Sequence, residues 1–297
     1  MRIALKVDVD TYRGTREGVP RLLRTLERHG VRATFLFSLG PDHTGWALKR
    51  VFRPGFLSKV SRTSVVQHYG LRTLMYGVLL PAPDIGRRAA APMLEAHRQG
   101  HECGIHTWDH VVWQDHARER DEAWTRAQMR LSWDRYGEIF GAPPATHGAA
   151  GWQMNGAAWK QVDDWGLAYA SDGRGTGPYR PVVDGRTLAH VQLPTTLPTL
   201  DEMIGADGIS EANAATALLA RTESDRDQVY TLHAELEGGL LEPMFDALLA
   251  GWKAQGHALL PLAGLHTDVD RDALPARPLS WGTVPGRSGE LVVAGDR

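Results

Sequence analysis

Residues 2–38 read RIALKVDVDTYRGTREGVPRLLRTLERHGVRATFLFS, and this stretch decides the fold class. It opens with a short apolar run at 2–7, which predicts a strand. A helix is predicted at 17–29, with a proline in its first turn and a glycine just past its end. A second strand is predicted at 31–38. A strand, a helix and a strand in this order predict two parallel strands joined by a helical crossover.

The same alternation continues along the chain, and further strands are predicted at 101–105, 145–150, 167–170, 189–193, 229–233 and 258–262. Seven or eight strands that alternate with helices predict an α/β fold, an irregular and incompletely closed (β/α)7–8 barrel. A doubly wound open sheet is the alternative, but no glycine-rich dinucleotide fingerprint follows the first strand. We expect one domain over residues 1–266. Residues 267–297, rich in Pro, Gly, Arg and Asp, are expected to form a poorly ordered tail.

The composition of the 297 residues excludes several classes of protein. The apolar fraction is 42%, and 33 basic side chains face 35 acidic ones, for a net charge of -2. A disordered or fibrous chain is therefore excluded, and no overall field favours nucleic acid as a partner. The chain has one cysteine and no apolar run that could span a bilayer, and we expect no signal peptide because an acidic residue already stands at position 8. These features predict a cytoplasmic protein that is soluble or peripheral on a membrane.

Residues 46–81 interrupt the alternation and form a basic, apolar insertion. They contain six Lys or Arg and no Asp or Glu, together with large side chains such as Trp46, Phe52 and Tyr76. Basic groups beside bulky apolar groups suit an anionic lipid interface. The alternative is an elaborated loop with helices that covers one end of the barrel.

The unusual polar residues follow the predicted strands, at their carboxyl ends. Because barrel enzymes keep their active sites on that rim, we expect these residues to lie together. They are Asp8, Asp10, His106, His110, Gly151, Trp152, Asp172, Arg174, His233, Glu235 and Glu237.

His106 and His110 are four residues apart, so on one helical turn they would share a face and could bind one metal ion. Two surface histidines are the alternative. Asp10 favours the metal, because two imidazoles and one carboxylate with open positions form a catalytic arrangement. The ligand set does not decide between zinc, cobalt, nickel and manganese.

Asp8 and Asp10 are two residues apart and would project to the same side of a strand. Asp8 could then act as a base beside the metal, unless it is an exposed acidic strand end. His233 closes an apolar strand. It could be a core residue bonded to a carbonyl, or a general acid that protonates a leaving amine.

Together these residues resemble the polysaccharide deacetylase (NodB-homology) superfamily, carbohydrate esterase family 4. The motifs that carry the resemblance are Asp8-Val9-Asp10, His106-Thr107-Trp108-Asp109-His110 and Leu232-His233. The resemblance implies that Asp8 is the catalytic base and His233 the acid. It implies one divalent metal ion on Asp10, His106 and His110.

Within that superfamily the chain is most similar to the family of 4-deoxy-4-formamido-L-arabinose-phosphoundecaprenol deformylases. DTYRGTREGVPRLL at 10–23 and LPTTLPTLDEMIG at 193–205 carry this similarity. It implies removal of formate from a sugar on a polyprenyl phosphate, at the cytoplasmic face of the bacterial inner membrane. That step leads to aminoarabinose on lipid A and polymyxin resistance. The implied substrate contacts are Gly151, Trp152, Thr196 and Glu235. A metal-dependent de-N-acetylase of a soluble sugar or glycan is the alternative, and a non-enzymatic lipid-sugar binder is a third interpretation.

The chain departs from the superfamily at its third motif, where an arginine pairs with the catalytic aspartate. Residues 146–152 read THGAAGW and contain no arginine. Our hypothesis is that Arg174 takes this place beside Asp8, with Asp172 as an orienting residue.

Overall fold

The computed structural model describes residues 1–47, 70–222 and 226–294. Most of the predicted insertion at 46–81 therefore lies outside the described residues. The strands are β1 Arg2–Val9, β2 Thr34–Ser38, β3 Glu102–Thr107, β4 Tyr169–Ala170, β5 Arg180–Val183, β6 Arg186–Thr187, β7 Val191–Gln192, β8 Gln228–His233, β9 Ala258–Leu260, β10 Ala276–Gly282 and β11 Leu291–Ala294.

The helices include α1 Val19–Arg28, α2 Leu71–Leu74, α3 Ile85–Arg88, α4 Ala90–Arg98, α5 His110–His116, α6 Glu122–Phe140, α7 Gly156–Asp164, α8 Leu200–Met203, α9 Ala214–Arg221, α10 Glu242–Ala254 and α11 Leu262–His266. A π-helical turn at Gly14–Gly18 leads into α1, and a 3-10 turn spans Ala150–Trp152. No helix of the described residues is both long and apolar enough to cross a membrane.

Strand β1 is buried on both faces, and its two faces differ in chemistry. Ile3, Leu5 and Val7 belong to the main apolar core, which α1 and α10 also line. Successive side chains of a strand point to opposite faces. Lys6 and Asp8 therefore point the other way, to the interior of the barrel, where both are buried.

The central sheet is parallel, in the order β3-β2-β1-β8. Strand β9 pairs with the first residues of β1, whereas β2 pairs with its last residues. The register places Asp8 opposite His233 of β8. The base and acid implied by the resemblance are thus neighbours across two hydrogen-bonded strands.

Short bridges continue the sheet from β3 round to β8. Gly148 N donates to Ile105 O (3.0 Å), and Ser171 N donates to His147 O (2.8 Å). Beyond the β4–β7 pair, Thr196 N donates to Val229 O of β8 (3.1 Å). The result is the irregular, incompletely closed barrel that the sequence predicts. The prediction of a strand at 145–150 is wrong: among the described residues that segment forms one bridge, between Ile105 and His147, before the 3-10 turn begins.

The C-terminal residues fold onto the barrel. Strand β10 runs parallel to β5 and antiparallel to β11, and Val292 of β11 is fully buried. The expectation of a poorly ordered tail is therefore wrong for residues 267–294. These residues are ordered because they pair with the barrel: β10 forms hydrogen bonds with the edge of β5, and β11 packs apolar side chains beside the 3-10 turn.

Candidate active site and metal centre

Three potential metal ligands meet at the carboxyl ends of β1 and β3. Asp10 follows β1, His106 lies within β3, and His110 is the first residue of α5. One ligand atom of each lies within 4.8 Å of the others. The sequence predicted this trio, but it placed both histidines on one helical turn. The strand instead ends between them, and Asp109 caps the new helix by accepting from Val112 N (3.1 Å).

The hydrogen bonds of this trio leave room for a cation. His106 Nδ1 donates to Gly148 O (2.7 Å), so in the neutral imidazole Nε2 carries a lone pair. That lone pair faces Asp10 Oδ1 at 3.2 Å, and neither atom has a hydrogen-bond partner among the described residues although both are buried. Two buried acceptors that face each other need a positive charge between them. A carbonyl that fixes the histidine tautomer is also usual beside metal ligands, so the residues fit a divalent ion.

The acidity of the trio follows from this crowding. Burial raises the pKa of Asp10, but His110 and His106 lower it further, so that it lies well below its ordinary value. Burial lowers the pKa of His106, whereas Asp8 and Asp10 raise it, and the net direction is upward. Both directions reflect the attraction between the Asp10 carboxylate and the imidazoles beside it.

Asp8 lies beside the trio and forms an ion pair with Lys6. Lys6 Nζ is 3.2 Å from Asp8 Oδ2, and the two side chains are 0% and 4% exposed. Asp8 Oδ1 is buried, has no hydrogen-bond partner in the part of the chain that the structure describes, and lies 3.8 Å from His106 Nδ1. One carboxylate oxygen is thus paired with the ammonium, while the other lies beside the imidazole of a predicted metal ligand.

Lys6 is the residue that the sequence interpretation missed. It lies two positions before Asp8, on the same face of β1, and its Nζ is 5.5 Å from the ring centre of Trp152. The two-residue period that related Asp8 to Asp10 also applied to Lys6. A lysine in an otherwise apolar strand was the signal available.

The proposed partnership of Arg174 with Asp8 is wrong. Arg174 Nη1 donates to Glu202 (2.7 Å) and Nη2 donates to Leu197 O (3.1 Å). The cation beside Asp8 is Lys6. Arg174 has a buried carboxylate from α8 as its partner, and a sequence cannot show which of several acids a loop arginine will reach.

Asp172, predicted to be an orienting residue of the site, is fully buried and contacts His147 instead. His147 Nδ1 lies 2.6 Å from Asp172 Oδ1, and Gln192 Nε2 donates to Oδ2 (2.6 Å). Burial raises the pKa of Asp172, but His147 and Gln192 lower it further, so the carboxylate stays ionised. The pair stabilises the irregular part of the barrel wall at 146–148.

His233 ends β8 and faces the same interior as Asp8. The ring of Trp152 meets it edge-on, with 6.4 Å between ring centres. His233 Nδ1 is buried, 4.0 Å from Asp201 Oδ1, and no residue that the structure describes forms a hydrogen bond with it. Its backbone N–H donates to Glu237 (2.8 Å), and burial raises the pKa of that carboxyl to about 7.

Gly151 and Trp152 both have left-handed backbone conformations, with φ of 60° and 52°. A Cβ at Gly151 would lie 2.6 Å from the Gln114 side chain, so any other residue there would force that side chain to move. This turn places the Trp152 indole inside the barrel, where its Nε1 donates to Thr195 Oγ1 (3.2 Å).

Two of the predicted substrate contacts are engaged in holding the backbone. Thr196 Oγ1 accepts from Val229 N (2.8 Å), which joins the barrel wall to β8. Glu235 Oε1 accepts from Asp10 N (3.1 Å) and from Thr11 N (2.8 Å). Burial, followed by the charge of Asp10, raises the pKa of Glu235 well above its ordinary value. Glu235 therefore fixes the loop that carries Asp10.

Comparison with known proteins agrees with this geometry. A curated relative from Shewanella sediminis (strain HAW-EB3), named "Probable 4-deoxy-4-formamido-L-arabinose-phosphoundecaprenol deformylase ArnD", is 35% identical over 91% of this chain and 88% of its own length. The fold matches a solved structure described as a polysaccharide deacetylase from Mycobacterium smegmatis, with a TM-score of 0.64 and 19% identity. That match covers 95% of this chain and 94% of the other.

A second similar structure is a family 4 acetyl xylan esterase from Clostridium thermocellum in complex with a cobalt ion. Its TM-score is 0.52 at 14% identity, over 90% of this chain and 91% of the other. The family model for polysaccharide deacetylase matches residues 2–170 of this chain. The resemblance inferred from the sequence is confirmed, and the chain is a hydrolase of amide carbon–nitrogen bonds that belongs to the polysaccharide deacetylase family.

Proposed function

We propose that this protein hydrolyses the formamide of 4-deoxy-4-formamido-L-arabinose carried on undecaprenyl phosphate. The products are formate and the aminoarabinose lipid used to modify lipid A, which confers polymyxin resistance. The observation that carries the proposal is the arrangement of a base, an acid and a metal-ligand trio around one interior, with Asp8 opposite His233. The substrate follows from the similarity to the deformylase of Shewanella sediminis.

One divalent ion on Asp10, His106 and His110 would supply Lewis acidity toward the formyl oxygen and a water molecule. The unpaired Oδ1 of Asp8 takes a proton from the attacking water, while Lys6 balances the carboxylate charge. Water oxygen bonds to the formyl carbon, and the carbon–nitrogen bond breaks. His233 gives the departing nitrogen a proton and the proton taken up by Asp8 is released, so one formamide and one water yield formate and an ammonium group.

A lipid-linked substrate has to be reached at a membrane surface. The described part of the insertion exposes apolar side chains: Leu71, Val78 and Leu79 are 67%, 55% and 75% exposed. Arg72, also exposed, lies beside Leu71. Apolar groups next to a basic one suit anionic headgroups. We therefore place the protein peripherally on the cytoplasmic face of the bacterial inner membrane.

The test is formate release from the lipid-linked formamido sugar by the metal-loaded protein. Asp8→Asn should lower kcat at least about a hundredfold, because general-base contributions are of that order. Asp134→Asn is the matched control, since Asp134 pairs with Arg130 on the surface of α6. Formate release by Asp8→Asn at the wild-type rate would overturn the role of Asp8. Release of acetate from N-acetylated glycans, without formate from the lipid, would identify a general deacetylase.

A further inference from the structure

The C-terminal arm, residues 276–294, reaches the candidate active site. It lies beyond residues 2–170, to which the family model is matched. Its last strand is fastened to the loop that follows β4: Arg174 N donates to Val292 O (2.9 Å), and Ala294 N donates to Arg174 O (2.7 Å). The arm is thus joined by backbone hydrogen bonds to a wall of the barrel interior.

The turn between β10 and β11 carries Arg287 into that wall. Gly286, just before it, has φ of 82°, and a Cβ there would lie 2.3 Å from Glu202 O. This close backbone approach lets Arg287 Nε donate to Glu202 Oε1 (2.8 Å), while Nη2 lies 3.4 Å from Asp201. Glu202 Oε1 also accepts from Arg174, so one buried carboxylate oxygen joins two guanidinium groups.

Arg174 and Arg287 both contact Trp152, which lies beside His233. The Arg287 guanidinium carbon is 4.6 Å from the ring centre of Trp152, and that of Arg174 is 5.0 Å from it. Trp152 meets His233 edge-on. Asp201, which pairs with Arg287, is the carboxylate 4.0 Å from His233 Nδ1.

We propose that Arg287 is a positioning residue, through which the C-terminal arm holds Trp152 and Asp201 in place beside the general acid His233. The left-handed backbone of Trp152 is unfavourable for a non-glycine residue and persists only where its surroundings enforce it. Two guanidinium groups against the indole and its hydrogen bond to Thr195 supply that enforcement. The inference rests on the proposed function only through the role of His233.

The test compares Arg287→Ala with Arg277→Ala, which removes an arginine from β10 of the same arm. His233 acts on the departing nitrogen during bond cleavage. Arg287→Ala should therefore lower kcat about tenfold to a hundredfold, because small misplacements of catalytic groups have such effects. KM should change by less than about threefold. Arg277→Ala should leave both constants near their wild-type values.

Chemical rescue separates positioning from a general structural role. The Arg287 side chain is 16% exposed, so its truncation opens a space to solvent that a guanidinium ion can enter. Guanidinium chloride, at concentrations far below those that unfold proteins, should raise kcat of Arg287→Ala severalfold and leave Arg277→Ala unchanged. If Arg287→Ala does not fold, Arg287→Lys replaces it. Lysine keeps the charge but lacks the guanidinium group that reaches both Asp201 and Glu202, so kcat of Arg287→Lys should also fall.

The outcomes distinguish this inference from the proposed function. The role of Arg287 would be overturned if kcat of Arg287→Ala, or of Arg287→Lys where it replaces that variant, equals the wild-type value. It would also be overturned if guanidinium does not restore the lost kcat of Arg287→Ala. The deformylase assignment would then stand on the wild-type formate assay. If the wild type instead releases only acetate from N-acetylated glycans, the deformylase assignment fails. The same variants are then compared by acetate release, where the same loss and rescue are expected.

Discussion

Replacing Lys6 by methionine removes the charge beside Asp8 while keeping a side chain of similar length. At 3.2 Å and an effective dielectric constant of about 20, two unit charges attract by about 5 kcal/mol. Desolvation of both groups offsets part of this attraction, but removing one partner leaves a buried, uncompensated charge. Such changes cost about 3–5 kcal/mol of unfolding free energy. We expect a loss of that size in Lys6→Met, measured by urea unfolding of the metal-free protein.

The same variant should lose most formate release, because Asp8 loses the ammonium group that holds one of its two carboxylate oxygens in place. Lys160→Met is the matched control. Lys160 pairs with Asp184 at 2.6 Å, but those side chains are 37% and 77% exposed. A surface pair of this kind contributes little to stability, because solvent screens it.

A double-mutant cycle completes this test. Lys6→Met combined with Asp8→Asn removes the stranded charge, so the double variant should be more stable than Lys6→Met alone. Wild-type stability and activity in Lys6→Met would refute the reasoning. A double variant no more stable than Lys6→Met would refute it as well.

Four further predictions follow from other residues. Burial raises the pKa of Glu237 from 4.5 to about 7, so its contribution to stability is full below pH 4.5 and is lost as the pH rises to about 7, a change of about 3 kcal/mol. Urea unfolding measured against pH should show this fall in the wild type and not in Glu237→Gln. The same decrease of unfolding free energy with pH in both proteins would contradict this prediction. Asp10→Asn should lose most bound divalent metal after dialysis, measured by elemental analysis, whereas Asp134→Asn should retain it. Gly14→Ala would place a Cβ 1.9 Å from Glu235 Oε1, so we expect weakened metal binding and slower formate release. In the control Gly137→Ala, the new Cβ would meet no described atom outside its own helix within 4 Å, so metal binding and formate release should stay unchanged. Leu79→Asp should reduce co-flotation with anionic vesicles, measured against Leu131→Asp on α6, and equal flotation would argue against the proposed membrane surface.

The part of the site that the sequence predicts well is the part set by local geometry. Asp8 and Asp10 share a face because a strand has a two-residue period, and the parallel sheet brings His106 and His233 to the same rim. The metal trio follows from these two rules. Its one local error, the helical turn across His106 and His110, arose because β3 continues to Thr107 before α5 begins.

The parts that could not be predicted depend on contacts between distant segments. The sequence does not show whether Arg174 pairs with Asp8 or with Glu202. The position of α8 in the fold brings Glu202 to Arg174. The C-terminal arm has a proline inside β10, which argues against a strand from local pattern alone. It folds because β5 presents an edge, and that edge depends on the completed barrel.

The most direct test of the deformylase assignment offers the metal-loaded protein two substrates in one incubation: undecaprenyl-phosphate-linked 4-formamido-arabinose and an N-acetylated glycan. Formate and acetate are then measured together. The arrangement of Asp8, His233 and the metal trio, with the similarity to the deformylase relative, predicts rapid formate release that Asp8→Asn abolishes, with little acetate. Acetate as the main product, with no formate, would contradict the assignment.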